Sequence, residues 1–149
     1  MITFKEAYDR VVTAYLQDKV KPFSSCACFV GNLLNGSPVW CLGRHIFFTE
    51  LEVRFKFDHY FLKSSEEAIQ FQSEFTYDAE TIYNIEQIFM SVYVLNAKSS
   101  VSGQEINEDA LWLAFVAALD KLREFHISLG EDVDEVIMPR REKLLQQSL

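Results

Sequence analysis

The chain has 149 residues, a length that fits one ordinary domain, and 22 acidic against 14 basic side chains give it a formal net charge of −8. Hydrophobic residues make up 49% and charged residues 24%, a composition typical of a globular protein. This composition excludes a collagen-like chain, and the charge opposes direct nucleic-acid binding, which needs basic side chains to neutralise phosphates. We therefore expect a single domain over residues 1–149 that binds proteins or small molecules.

The sequence also bears on the location of the protein. No apolar run approaches the roughly 20 residues that a helix needs to cross a bilayer, and residues 1–6 lack the basic stretch and apolar core of a secretory signal. Three cysteines, an odd number, do not form a disulfide framework. We expect a cytoplasmic protein with reduced thiols and no membrane contact.

Two helices are predicted near the start of the chain. Thr3 and Glu6 have the spacing of a capping box, and apolar residues then recur every three or four positions. The segment 19–22, which closes with a proline, is predicted to end this helix. A second, short helix is predicted over 24–34, with one of the two serines at 24 and 25 as its N-cap and Asn35-Gly36 as its left-handed stop. The stripe that the first helix is expected to bury consists of Phe4, Ala7, Tyr8, Val11, Val12, Tyr15 and Leu16.

The middle of the chain carries the pattern of a strand. Apolar and polar residues alternate over 53–61, a period of two that is typical of a strand with one apolar face. Residues 45–48 are predicted to pair with it, while the segment 64–75 mixes helical and alternating signals. The sequence therefore predicts an α+β fold, dominated by helices, with a small antiparallel sheet of two or three strands.

The last third of the chain is predicted to be helical. Asp78 caps a third helix that runs to about residue 96, and Asn107 starts the longest helix, which Gly130 follows. The stripes that these helices are expected to bury are Ile82, Ile85, Phe89 and Val92 in one, and Leu111, Phe115, Ala118, Leu122, Phe125 and Leu129 in the other. Residues 131–149, acidic and then basic, are predicted to be a C-terminal tail.

Four residues that can carry chemistry lie close together in the sequence: Cys26, Cys28, Cys41 and His45. If the second helix starts at its predicted serine, Cys26 lies in the first turn, where the helix dipole favours a reactive thiolate. The five residues from Cys26, Cys-Ala-Cys-Phe-Val, resemble the Cys-Ser-Gly-Phe-Val stretch around the nucleophile of papain-like cell-wall peptidases. That resemblance implies Cys26 as the nucleophile and His45 or His59 as the base.

The same residues permit two other interpretations. Cysteine is commonly buried as a small hydrophobic residue, and the apolar residues that follow mark this helix as part of the core. Cys26, Cys28, Cys41 and His45 also have the number and type of ligands that a tetrahedral zinc needs. Cys26 and Cys28 would point about 200° apart on a helix, however, so both could bind one metal only if the helix started after them. The sequence therefore disfavours a metal, and we expect no cofactor.

Aromatic residues make up 14% of the chain, more than a core of this size needs. Rings that stay exposed are typical anchors of protein interfaces, and the best candidates are Trp40, beside a turn, followed by Tyr77 and Tyr83. The alternative is that the rings fill a phenylalanine-rich core. His126, in the final turn of the longest helix, is assigned a structural role.

These patterns favour a binding protein over an enzyme. We expect an accessory, adaptor or inhibitory protein, of the kind that phages and mobile elements encode, and its negative charge favours a basic protein as partner. The alternative is a papain-like Cys-His hydrolase that uses Cys26. The sequence leaves the oligomeric state open.

Overall fold

The computed structural model describes residues 2–22, 27–35, 77, 79–97, 105–134 and 136. Within these ranges the chain forms four helices, which are α1 (Phe4–Leu16), α2 (Phe29–Leu33), α3 (Ala79–Ala97) and α4 (Glu108–Ser128). They account for 71% of the described residues, which contain no strand. None of the described helices is both long and apolar enough to span a membrane.

The predicted α+β class is wrong for this part of the chain, which is all-α. The two segments on which the predicted sheet depended, 45–48 and 53–61, lie outside the described residues. The physical reason for the helical result in the described residues is that each of these helices has an apolar stripe that another of them covers.

The start of α1 confirms Thr3 as the N-cap. Thr3 Oγ1 accepts a hydrogen bond from the Glu6 N–H at 3.1 Å. The helix ends at Leu16, before the predicted stop at 19–22, because Asp18 adopts a left-handed conformation with φ of 57°. The Lys19 N–H then donates to the Ala14 carbonyl at 2.8 Å, which closes a Schellman motif.

The predicted start of the second helix is wrong. The N-cap of α2 is Cys28, whose Sγ accepts a hydrogen bond from the Gly31 N–H at 3.2 Å, and the helix begins at Phe29 rather than after a serine. At the other end, Asn35 has a φ of 57°, as the predicted left-handed stop requires. Arg10 of α1 donates to the Leu33 carbonyl at 2.8 Å and so links the two helices.

Helices α3 and α4 form an antiparallel pair with the most extensive contact between described elements. Asn107 is the N-cap of α4, as predicted, and its Oδ1 accepts from the Ala110 N–H at 3.0 Å. The Asn107 N–H itself donates to the Tyr93 hydroxyl at 3.1 Å, so α4 starts beside the end of α3. The predicted cap of α3, Asp78, lies outside the described residues.

Aromatic rings fill the space between the helices. Phe115 of α4 lies 4.8 Å from Tyr15, 5.6 Å from Phe29 and 5.9 Å from Trp112, measured between ring centroids. Phe89 of α3 packs against Phe29 in turn. Every aromatic ring in the described part of the chain is buried or half-buried, so these rings form the core, as the alternative interpretation proposed.

Candidate functional site

Most of the residues that sequence analysis selected for chemistry lie outside the described residues: Cys26, Trp40, Cys41, His45 and His59. The hydrolase based on Cys26 therefore stays a prediction. Its main physical argument does not hold, because α2 begins three residues after Cys26 and no longer places that thiol in a first helical turn.

The fourth zinc candidate, Cys28, is fully buried and acts as the N-cap of α2. Because α2 starts after both Cys26 and Cys28, the geometric objection to a shared metal disappears, but the Cys28 Sγ already accepts the Gly31 N–H. Among the described residues, no group of three or more His, Cys, Asp or Glu side chains is placed to hold a metal ion.

Two of the predicted interface anchors can be located. Tyr77 is fully buried and belongs to the core, so its ring is not available to a partner. Tyr83 lies on α3 and is half-buried. The described part of the chain therefore offers no exposed aromatic anchor, and an interface there must use other side chains.

The most organised polar group in the described structure surrounds His126, in the last turn of α4. The Tyr77 hydroxyl lies 2.7 Å from His126 Nε2, and His126 Nδ1 lies 2.6 Å from Glu131 Oε2. The other carboxylate oxygen of Glu131 accepts the Phe4 N–H at 2.6 Å. We call these three side chains and the Phe4 N–H the His126 network. Tyr77 and His126 are fully buried, whereas the Glu131 side chain is 27% exposed.

The turn after α4 positions Glu131. Gly130 has a φ of 81°, its N–H donates to the Ile127 carbonyl at 2.9 Å, and the Glu131 N–H donates to the His126 carbonyl at 3.2 Å. This Schellman motif folds the chain back, so Glu131 returns beside His126. Phe4 is the first residue of α1, where backbone N–H groups lack acceptors within the helix and attract negative charge.

The pKa values of its members set the proton positions in the His126 network. Burial raises the pKa of Tyr77 above its ordinary value of 10.0, an effect that Arg10 opposes and Glu131 reinforces. Burial also acts to raise the pKa of Glu131, but the hydrogen bonds from Phe4 and His126 and the charge of His126 outweigh it and lower that pKa. The Tyr77 phenol therefore keeps its proton, and the Glu131 carboxylate accepts a hydrogen bond from His126 Nδ1–H.

The order hydroxyl, imidazole, carboxylate is that of a nucleophile, its base and the group that orients the base. Two properties of the network oppose such chemistry. A raised pKa makes the Tyr77 hydroxyl a weaker nucleophile at neutral pH, and the rings of Phe4, Tyr77 and Phe125 surround the imidazole at 5.5, 5.5 and 5.9 Å. The His126 network therefore joins four parts of the chain and has a structural role, as the sequence predicted for His126.

Sequence analysis missed the other members of this network. Tyr77 and His126 are 49 positions apart in the chain, and no local spacing links them. The available signal was local: a histidine in the last helical turn, followed by Gly130 and an acidic residue. The segment after Gly130 also packs against the domain, because Val133 is 3% exposed and Val136 contacts the core. The predicted tail at 131–149 therefore begins with residues that pack against the core.

A groove of about 340 Å³ lies between the start of α3 and the end of α4. The groove is lined by Glu80, Thr81, Asn84, Lys121, Glu124, Phe125 and Ser128. Lys121 and Glu124 are paired at 3.3 Å, and none of the polar lining residues is buried. The groove therefore lacks the convergent buried polar groups that fix a small ligand in a binding site.

The opposite end of the helix pair exposes aliphatic side chains. Leu95 in the last turn of α3 is 76% exposed, its neighbour Val94 is 50% exposed, and Leu113 in the second turn of α4 is 48% exposed. We call these three residues the apolar end. Comparison of the whole chain with protein-family models, curated proteins and solved structures gives no match. The function is therefore argued from the described side chains.

Proposed function

We propose that this protein works by binding another protein, as an accessory, adaptor or inhibitory protein, through the apolar end. The observation that carries the proposal is the 76% exposure of Leu95 beside the exposed Val94. Removing apolar surface from water yields about 25 cal/mol per Å². A complex in which a partner covers these side chains is stabilised in this way, because the side chains are exposed in the protein alone.

The composition of α3 supports the proposal. Its 19 residues include two charged side chains, Glu80 and Glu86, and the second of these is fully buried. A helix that is apolar on most sides is normally buried on most sides. Ile82, Ile85, Phe89 and Tyr93 meet that expectation, whereas the last turn of the helix does not, because Val94 and Leu95 lie off the buried stripe.

Single exposed leucines are common on protein surfaces and need no partner. Three of the five large hydrophobic side chains that are exposed in the described residues lie at this end of the helix pair, and the other two, Ile127 and Leu129, lie at the opposite end of α4 and are less exposed than Leu95. A binding role needs no cofactor or catalytic step. We place the interaction in the cytoplasm, in keeping with the expectation from the sequence.

The test is retention of a partner from an extract of the source cells by three tagged proteins. These are the wild type, Leu95→Asp, and the control Ser91→Asp, which introduces the same side chain at an exposed polar position one turn earlier on α3. We expect the wild type and Ser91→Asp to retain one partner that Leu95→Asp loses. Equal retention by all three would mean that the apolar end is not the binding surface.

A further inference from the structure

The described residues that follow the turn after α4, which are 131–134 and 136, pack against the helices, and we call them the latch segment. Val133 is 3% exposed, and Val136 contacts the core. Glu131 Oε1 accepts the Phe4 N–H at 2.6 Å, which fixes the segment to the first residue of α1. Apolar burial and one carboxylate therefore hold the latch segment in place.

Beyond Glu131, the polar contacts of the described latch residues are local or exposed. The Asp134 N–H donates to Asp132 Oδ1 at 3.0 Å, within the segment. Arg123 of α4 lies 3.7 Å from the Asp134 carboxylate, whose side chain is 89% exposed, so this ion pair contributes little. Hydrogen bonds to an ionised group are stronger than neutral ones. We therefore regard the Glu131 carboxylate as the main polar attachment of the segment.

Two groups on the helices keep this carboxylate ionised. His126 Nδ1 of α4 lies 2.6 Å from Glu131 Oε2, and the Phe4 N–H of α1 faces the other oxygen. Burial acts to raise the pKa of Glu131, but these hydrogen bonds and the charge of His126 outweigh it and lower that pKa below its ordinary value of 4.5. Arg10 of α1 acts on the neighbouring Tyr77, as Glu131 itself does. A proton on Glu131 removes the charge that favours both contacts, so the attachment weakens as the pH falls toward the folded pKa.

We propose that the latch segment is a pH-sensitive device that opens from the four helices as a unit when the Glu131 carboxylate is neutralised. Proteins open locally in such cooperative units at a lower free-energy cost than global unfolding. Without the charged attachment, burial of Val133 must offset the conformational entropy of the whole segment. The contact between Tyr77 and His126 does not involve the segment, so the helices stay packed when it opens. The device does not depend on the proposed function.

Hydrogen exchange of single amides in the full chain, followed by NMR at neutral pH, tests the local opening. The latch amides are those of Phe4, Glu131 and Val136, and the amide of the buried Leu119, within α4, reports on the core. We expect the latch amides to share one opening that is at least about a hundredfold more frequent than opening of the core and that changes little with urea. Equal opening of latch and core amides, with the same urea dependence, would overturn the proposal.

Two substitutions within the latch segment separate the carboxylate of Glu131 from net charge. Glu131→Gln neutralises the group that contacts Phe4 and His126, and the control Asp134→Asn removes one exposed charge of the same sign. We expect latch opening to become at least about tenfold more frequent in Glu131→Gln and to change less than about threefold in Asp134→Asn. Equal changes in the two variants would show that Glu131 has no special role and would overturn the proposal.

Acidification identifies the titrating group. Between pH 7 and pH 3.5, after correction for the intrinsic exchange rate, latch opening should become about threefold or more as frequent in the wild type and stay nearly constant in Glu131→Gln. Circular dichroism checks that both proteins keep their helix content at pH 3.5. The same response to pH in both proteins would mean that another group controls the segment and would contradict the assignment to Glu131.

Discussion

Both ends of the α3–α4 pair expose aliphatic side chains, Ile127 and Leu129 at one and Val94, Leu95 and Leu113 at the other, but they differ in the degree of exposure and in their buried polar groups. At one end, Tyr77 and His126 are polar and fully buried; at the other, Val94 and Leu95 are apolar and lie in water. The buried polar end is stable because each group has a hydrogen-bond partner, through to Glu131. The exposed apolar end has no such internal explanation, and this is why we assign binding to it.

Under the proposed function, stability and binding depend on different ends of the helix pair. The His126 network joins residue 77, the end of α4, the segment after it and the start of α1, so its loss should weaken the whole fold. The apolar end contributes little to the core, so its alteration should leave the fold intact.

The largest expected effect comes from His126→Ala. The change removes a ring packed against Phe4, Tyr77 and Phe125 and leaves the buried Tyr77 hydroxyl without its hydrogen-bond partner. Urea denaturation should show a loss of about 3–5 kcal/mol in the free energy of unfolding. The control Glu124→Ala, which breaks an exposed ion pair on the same helix, should change it by less than about 0.5 kcal/mol. A loss below about 1 kcal/mol in His126→Ala would refute the role of the network.

Glu131→Gln tests the carboxylate and should cost about 2 kcal/mol at neutral pH, because the charged acceptor of two hydrogen bonds is lost. The pKa of Glu131 is lowered in the fold, so its contribution is complete above the ordinary value of 4.5 and is lost as the pH falls toward the folded pKa. The difference between wild type and variant should therefore narrow below pH 4.5 in urea titrations. A difference that is constant from pH 7 to pH 3 would contradict this account.

Tyr77→Phe tests the hydroxyl and should lower the free energy of unfolding by about 1–2 kcal/mol at neutral pH, since the buried hydrogen bond between the Tyr77 hydroxyl and His126 Nε2 is lost. Burial raises the pKa of Tyr77, so above its ordinary value of 10.0 only the unfolded chain releases this proton. Wild-type stability then falls relative to the variant as the pH rises. Chemical denaturation should show a smaller difference in the free energy of unfolding between wild type and Tyr77→Phe at pH 11 than at pH 8. A larger difference at pH 11 would contradict this expectation.

Gly130→Ala should cost about 1 kcal/mol, because a φ of 81° strains any residue with a Cβ while the space around that position is open. Gly130→Asn is the matched variant, since asparagine tolerates the left-handed conformation better. Thermal unfolding should give the highest melting temperature for the wild type, a lower one for Gly130→Asn and the lowest for Gly130→Ala. If both variants are equally destabilised, steric contact rather than backbone conformation sets the cost.

The sequence predicted those helix ends that are set by a side chain or a glycine at the end itself. Thr3, Asn107 and Gly130 each act within a few residues of their own position, and the structure confirms all three. The start of α2 could not be found in this way. Serine is a stronger N-cap than cysteine, yet α2 starts after Cys28. Just before that start, the Ala27 carbonyl accepts a hydrogen bond from the Lys21 N–H at 2.7 Å, a contact with the segment after α1 that the local pattern does not reveal.

Long-range partners limited the prediction of the site and of the fold class. Tyr77 looked like an exposed anchor because the sequence did not reveal His126 as its partner. Leu95 was overlooked because exposure depends on which side of a mostly apolar helix the other helices cover. The α+β class rested on alternation over 53–61 and on pairing with residues 45–48, although a local pattern does not specify which strands pair.

The central claim is that Leu95 serves binding and not stability, and one protein tests it. Leu95→Asp is unfolded in urea, and retention of the partner from the source-cell extract is measured with protein from the same preparation. We expect a free energy of unfolding within about 0.5 kcal/mol of the wild type, together with loss of the partner that the wild type retains. A stability loss as large as that of His126→Ala, or undiminished retention of the partner, would contradict the account.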